Sequence, residues 1–178
     1  MLTTEDLGFS FVELMVVIAL ISALSAIGLP SFLSGLPEQR LKSAARTLYA
    51  DMQRARLLAV KNNAESRVKF VTSAQPGYYY FDDNDNKKWD AGEFKRELAE
   101  YSGVNYGRGK VVKRWDKENF TALATNITFG KTGTANPGTT YLDDQNHDVC
   151  YAVTTTTYGM VKIRRFNGVS WDNDGTNP

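Results

Sequence analysis

The stretch "LGFSFVELMVVIALISAL", residues 7–24, decides how the rest of the chain is read. From Phe9 to Leu29 every residue except Glu13 is apolar, small or a hydroxyl, over about twenty-one positions, the length a helix needs to cross a hydrocarbon core. A charge at the centre of such a helix costs about 2.5 to 3.5 kcal/mol on insertion scales. Each large apolar neighbour returns about 0.3 to 0.6 kcal/mol, so insertion stays favourable. Glu13 either lies near one end of the span and reaches the headgroup layer, or asks for a cationic partner at membrane depth.

A secretory leader places a basic region before its apolar core and small residues after it. Here the order is inverted: "MLTTEDLG" is short and polar, and Gly8 stands directly before Phe9, so the apolar segment survives a cut at that point. Gly8, Phe9, Ser10 and Glu13, followed by the apolar run and Pro30, resemble the N-terminus of type IV pilins and type II secretion pseudopilins. The resemblance implies that prepilin peptidase cuts between Gly8 and Phe9 and methylates the Phe9 amine. It also implies that Glu13 pairs with the Phe9 amine of a neighbouring subunit as a filament is built. The leader has no Lys or Arg and carries Glu5 and Asp6, while Arg40, Lys42 and Arg46 follow the span. The positive-inside count therefore favours the opposite orientation, and an N-terminus on the cytoplasmic side is what the resemblance implies.

Lys plus Arg number 21 and Asp plus Glu 20, with one His and one Cys. A balance near neutrality gives no global attraction to nucleic acid. Once the leader and span are set aside, roughly 140 residues remain, enough for one domain with its own core. Cys150 alone cannot close an internal disulfide, so the domain depends on packing.

Beyond the span, Pro30, Gly35 and Pro37 predict a kink or loosening of the helix, because each proline removes a backbone hydrogen bond. This segment also resembles the stretch of pilins that unwinds during assembly; a plain membrane-exit linker is the alternative. From Pro37 the spacing of Leu41, Ala45, Leu48, Met52, Ala55 and Ala59 predicts a helix with one core-facing seam, ending at Asn62 and Asn63. Arg40, Lys42, Arg46, Arg54 and Lys61 read as its solvated face. After Ala64 the pattern changes to short β-rich runs at 67–72, 78–81, 95–101, 127–129, 149–157 and 161–166, the last two forming a hairpin around Tyr158 and Gly159. "KTGTANPGTT" and "SWDNDGTNP" read as turns.

The helix followed by an antiparallel sheet is an α+β arrangement, and it resembles the pilin fold. "AARTLYADMQRARLLAVKNN" and "YYYFDDNDNKKWDAGEFKREL" narrow the resemblance to GspH/FimT-type minor pilins and pseudopilins. The expected organisation is a leader over 1–8, a transmembrane helix over 9–29, a kinked linker and amphipathic helix over 30–64, and a periplasmic β-rich domain over 65–178.

Three clusters invite chemistry. "DDNDNKKWDAGE" places Asp82, Asn84, Asn86, Asp90 and Glu93 at positions one, three, five, nine and twelve of an EF-hand count, suiting calcium. Lys87 stands where that loop needs a glycine, and an Asx-rich hairpin connection is the alternative. "DDQNHDVC" gathers Asp143, Asp144, His147, Asp148 and Cys150, but the chain has no second His or Cys to complete a zinc set, and a polar loop entering a strand is preferred. Lys162, Arg164 and Arg165 beside Phe166 form a nucleic-acid candidate. Some FimT-type relatives take up DNA through an arginine pair after the hairpin glycine; here those places hold Met160 and Lys162.

No Ser-His-Asp set and no phosphate-cradling glycine loop is visible, so an enzyme is not expected. The expected function is that of a structural subunit, a minor pilin or pseudopilin near the tip of a type II secretion pseudopilus or type IV pilus. Its partners would be other pilin or pseudopilin subunits, the inner membrane, prepilin peptidase, and a secreted substrate or DNA. It would sit in the inner membrane by a single pass, with the C-terminal domain in the periplasm or on an extracellular filament. A DNA-capturing minor pilin and, from another class, a membrane-anchored enzyme are the rival readings.

Overall fold

The computed structural model describes residues 9–114 and 123–172, and of residues 27–31 the backbone only. The leader residues, including Gly8, lie outside the described residues. The chain divides between Leu36 and Pro37 into two compact units. Helix α1 spans Phe11–Lys61 and is not ended by Pro30, Gly35 or Pro37, where the sequence predicts a kink or loosening.

In the first unit the large side chains from Phe11 to Leu24 are all exposed, with Leu20 at 59% and Leu24 at 71%. Among the described residues no helix is long and apolar enough to cross a membrane, the described side chains of this apolar run ending at Ala26.

The second unit is built around the part of α1 that follows Pro37. Leu41, Ala44, Ala45, Leu48, Met52, Ala55 and Ala59 form the buried seam. The helix ends in a left-handed cap: Asn63 has φ 49° and the Ala64 N–H reaches back to the Ala59 carbonyl at 3.1 Å. Asparagine tolerates that conformation better than most residues.

Eight strands follow: β1 (Ser66–Val71), β2 (Tyr78–Asp82), β3 (Lys95–Glu97), β4 (Asn105–Tyr106), β5 (Asn126–Phe129), β6 (Gly138–Asp143), β7 (Cys150–Thr155) and β8 (Val161–Phe166). They form two four-stranded sheets, ordered β3-β2-β1-β5 and β4-β6-β7-β8, with every pairing antiparallel. Strand alternation sends Val68, Tyr79, Phe81, Ile127 and Phe129 of the first sheet into one core with the helix seam, joined by Leu142, Tyr151, Val153 and Val161 of the second. The second sheet carries a smaller cluster of Val111, Tyr141, Cys150, Ala152 and Phe166. The fold is α+β, a helix packed against antiparallel sheets.

Three differences from the sequence reading concern strands, the first being β4, which no predicted run covers. Gly138–Asp143 is a strand between β4 and β7, although its first residues end the turn-like "KTGTANPGTT". The run predicted over 95–101 is a strand only to Glu97 and then a short 3₁₀ turn, Leu98–Glu100. The hairpin around Tyr158 and Gly159 is present: Gly159 has φ 71°, and a Cβ there would stand 1.8 Å from the Gly133 carbonyl oxygen, so only glycine fits.

Candidate functional site

Phe9 precedes α1 and is 83% exposed; Glu13 lies in the first helical turn and is exposed. Among the described residues none pairs with the Glu13 carboxylate. Pro37 is the first residue of the second unit, and Pro30 is described by its backbone alone.

Loop 82–93 joins β2 to β3 and folds over the outer face of that sheet. Trp89 holds it there, its indole N–H donating to the Glu93 carbonyl at 3.2 Å while the Lys95 ammonium sits between the Trp89 and Tyr78 rings at 5.1 and 4.4 Å. The Asp82 carboxylate is fully buried, and its Oδ2 accepts the Lys87 N–H at 3.1 Å. Asn84 and Asn86 both donate their side-chain amides to Asp90 Oδ2, the first at 2.7 Å. Glu93 accepts the Asp83 N–H at 3.1 Å and the Asp90 N–H at 3.0 Å. Of the five residues named from the sequence, Asn84, Asn86 and Glu93 thus bond to Asp90, and Asp82 is tied to the same loop through the Lys87 N–H.

The second acidic loop is closed differently. The Asp143 Oδ2 accepts the Gly109 N–H at 3.1 Å and meets His147 Nδ1 at 2.6 Å, and Gly107 approaches so closely that a Cβ would stand 2.5 Å from that carboxylate. Cys150 begins β7, buried, with its thiol on the Gly107 carbonyl at 3.7 Å. Burial, and then the negative Asp143, push the Cys150 thiol well above its ordinary value, the reverse of what a nucleophile needs. Among the described residues no three His, Cys, Asp or Glu groups stand close enough to hold a metal by themselves.

The basic residues of β8 do not share a face. Arg165 turns inward with Val161 and Ile163 and is paired with Glu38 and, at 3.8 Å, Asp172; Lys162 and Arg164 lie on the other face with Phe166.

One arrangement escaped the sequence reading. Asp51, buried on α1, accepts the Tyr79 hydroxyl at 2.6 Å and the Arg96 guanidinium at 3.2 Å. Burial, then the hydrogen bond and charge of Asp51, raise the Tyr79 hydroxyl far above its ordinary value. An acidic residue directly beside Met52 of the seam was the available signal. Arg54, assigned to the solvated face, packs over the Phe94 ring at 4.9 Å.

Among the described residues the geometry does not assemble a nucleophile, base and electrophile. A family profile described as "Type II transport protein GspH" matches residues 44–159. The chain is 32% identical over 113 residues to a pilin-like protein, PilA1, of Thermus thermophilus, covering 62% of this chain and 67% of that one. The minor pseudopilin EpsH from the type 2 secretion system of Vibrio cholerae superimposes with a TM-score of 0.48 at 14% identity, over 70% of this chain and 95% of the other.

Proposed function

Because the chain belongs to the family of the type II transport protein GspH, we propose that it is a minor pilin or pseudopilin built into the tip-proximal part of a type II secretion pseudopilus or type IV pilus. Members of this family are structural subunits rather than enzymes, and the family points to association with other pilin subunits. The observation that carries this reading is the unbroken row of exposed large apolar side chains from Phe11 to Leu24, whereas the seam of the second unit buries Leu41, Leu48 and Met52. Apolar surface on that scale is stable only against lipid or other subunits. In this reading residues 9–29 first cross the inner membrane as a single pass, with the domain on the periplasmic side. Prepilin peptidase cuts after Gly8 and methylates Phe9, and Glu13 then neutralises the Phe9 ammonium of the next subunit away from water.

The test is Glu13→Leu in the native host. The variant is expected to be processed and to remain in the membrane fraction, because an apolar residue replaces one costing about 2.5 to 3.5 kcal/mol. Crosslinking to other pilin subunits should collapse, since a partner ammonium left buried and unpaired loses about 3 to 5 kcal/mol. Intact-mass spectrometry of the membrane protein should find a chain beginning at N-methylated Phe9. Wild-type crosslinking by Glu13→Leu, or a mature chain that keeps residues 1–8 beside an active peptidase, would overturn the assignment.

A further inference from the structure

We propose that loop 82–93 is a calcium site, in which one ion takes oxygens from Asp82, Asn84, Asn86, Glu93, the Lys88 carbonyl and, directly or through a water, Asp90. This inference does not depend on the filament reading. Its starting point is Asp82, which is 0% exposed and whose second carboxylate oxygen, Oδ1, is buried without any hydrogen-bond partner. Oδ2 of the same group accepts an N–H from within the loop, so the carboxylate faces the loop rather than the apolar core. An ionised oxygen withdrawn from water and left unpaired is costly, and such groups call for an ion or a bound water.

The surroundings define which ion. Asn84 Oδ1 and Asn86 Oδ1 each accept one backbone N–H, from Asn86 at 3.0 Å and Lys88 at 2.8 Å, and each keeps a second lone pair for a cation. Their amide NH₂ groups meanwhile converge on Asp90, supplying the positive edge that a metal would supply instead. Both Glu93 oxygens accept backbone N–H groups from inside the loop, which points the carboxylate inward with lone pairs to spare. The missing glycine is no obstacle: Lys87 adopts φ 65°, the left-handed backbone the sixth place of such a loop requires.

Negative charge is concentrated here. Among the described residues no Lys or Arg forms a salt bridge with Asp82, Asp90 or Glu93. All the ligands are hard oxygens and none is imidazole or thiolate, which favours calcium over zinc or copper. A flexible loop of this length favours calcium over the strictly octahedral magnesium. With two amide ligands in place of carboxylates on an exposed loop, the affinity should fall in the weak class, a Kd of roughly 0.1 to 1 mM.

The experiment uses the full chain in detergent micelles. Melting temperature is recorded in millimolar calcium chloride, in magnesium chloride and in chelator, and terbium luminescence is excited through Trp89, whose ring lies in the loop. Calcium should raise the melting temperature by a few degrees where magnesium does not, and should displace terbium emission. Trp89→Phe should remove most of the emission while keeping the calcium shift. Asp82→Asn should melt in chelator no lower than wild type, because an unpaired buried charge is gone, and should lose the calcium shift. Glu93→Gln should lose the shift as well and serves if Asp82→Asn does not fold. Equal melting in calcium and chelator, or an undiminished calcium shift in a folded Asp82→Asn or Glu93→Gln chain, overturns the proposal.

Discussion

Two stretches of α1 use the same apolar vocabulary to opposite ends. Between Leu41 and Ala59 the seam residues are buried to within 2% of completely, whereas Leu20, Ile21 and Leu24 are exposed by 59, 58 and 71%. The acids follow the same division. Asp51 has a hydroxyl and a guanidinium as partners within its own chain, and Glu13 is exposed in the first helical turn. Spacing accounts for the difference: the second stretch repeats small and apolar residues in steps of three and four and places charges elsewhere, while the first is apolar on every side. A helix with one apolar stripe can be satisfied by a single domain. A helix apolar all round needs apolar surroundings on every side.

Equal truncations in the two stretches give the sharpest contrast. Leu48→Ala removes a fully buried side chain wedged between helix and sheet, and should cost the domain about 2 to 5 kcal/mol in chemical denaturation. Leu20→Ala should change the same transition by no more than about 0.5 kcal/mol, since the domain core does not include it. Comparable losses from both would mean that the first stretch is part of the domain's folding unit.

A smaller effect is expected at Asp51. Asp51→Ala deprives the buried Tyr79 hydroxyl and the half-buried Arg96 guanidinium of their shared acceptor. The expected loss is about 1 to 3 kcal/mol, with Asp51→Asn less affected because its carbonyl oxygen still accepts. The readout is again the denaturation midpoint, and a change below about 0.5 kcal/mol for Asp51→Ala would show that water replaces the carboxylate at no cost.

What the sequence disclosed follows from where periodicity is strong. The seam from Leu41 to Ala59, the left-handed stop at Asn63 and the β7–β8 hairpin were legible because each rests on local spacing or on a residue type that the backbone demands. β4 was not, since the two residues Asn105 and Tyr106 carry no period. β6 was hidden by the Gly and Pro residues that precede it, although Thr139, Thr140 and Tyr141 are strand formers. At the candidate sites, linear spacing picked out the polar residues that bond within loop 82–93, because all of them lie in one connection. It could not show that Asp82 is buried or that Asp143 is occupied by Gly109 and His147, which depends on a loop thirty-four positions away. The basic group of β8 was legible in composition only; the two-residue period of a strand already separates Arg165 from Lys162 and Arg164.

The least of the expected effects is a response to alkaline pH that belongs to the domain alone. Residues 9–36 hold no tyrosine, cysteine or lysine, while in the domain Tyr79 is buried and Tyr106 is half-buried with its hydroxyl enclosed. Burial raises both hydroxyls well above the ordinary tyrosine value of about 10, with Asp51 adding to the rise at Tyr79. A group whose folded pKa is raised contributes its stability in full below the unfolded pKa, and that contribution declines as pH climbs above it. The unfolded chain then releases a proton the native chain retains. At pH 10 the loss is only roughly 0.4 kcal/mol per tyrosine, reaching about 1.4 kcal/mol at pH 11 and growing by about 1.4 kcal/mol for each unit beyond that until the folded value is reached. The melting temperature of the domain should therefore fall between pH 9 and 11 while the helicity of an isolated peptide of residues 9–36 in micelles stays constant. Ultraviolet titration should show some of the nine tyrosines ionising reversibly near their ordinary pKa and others only as the fold is lost. If all nine ionise in a single reversible step with the circular dichroism unchanged, Tyr79 and Tyr106 reach solvent in the native state, and the closed core that sets the second stretch of α1 apart from the first is more open than its packing indicates.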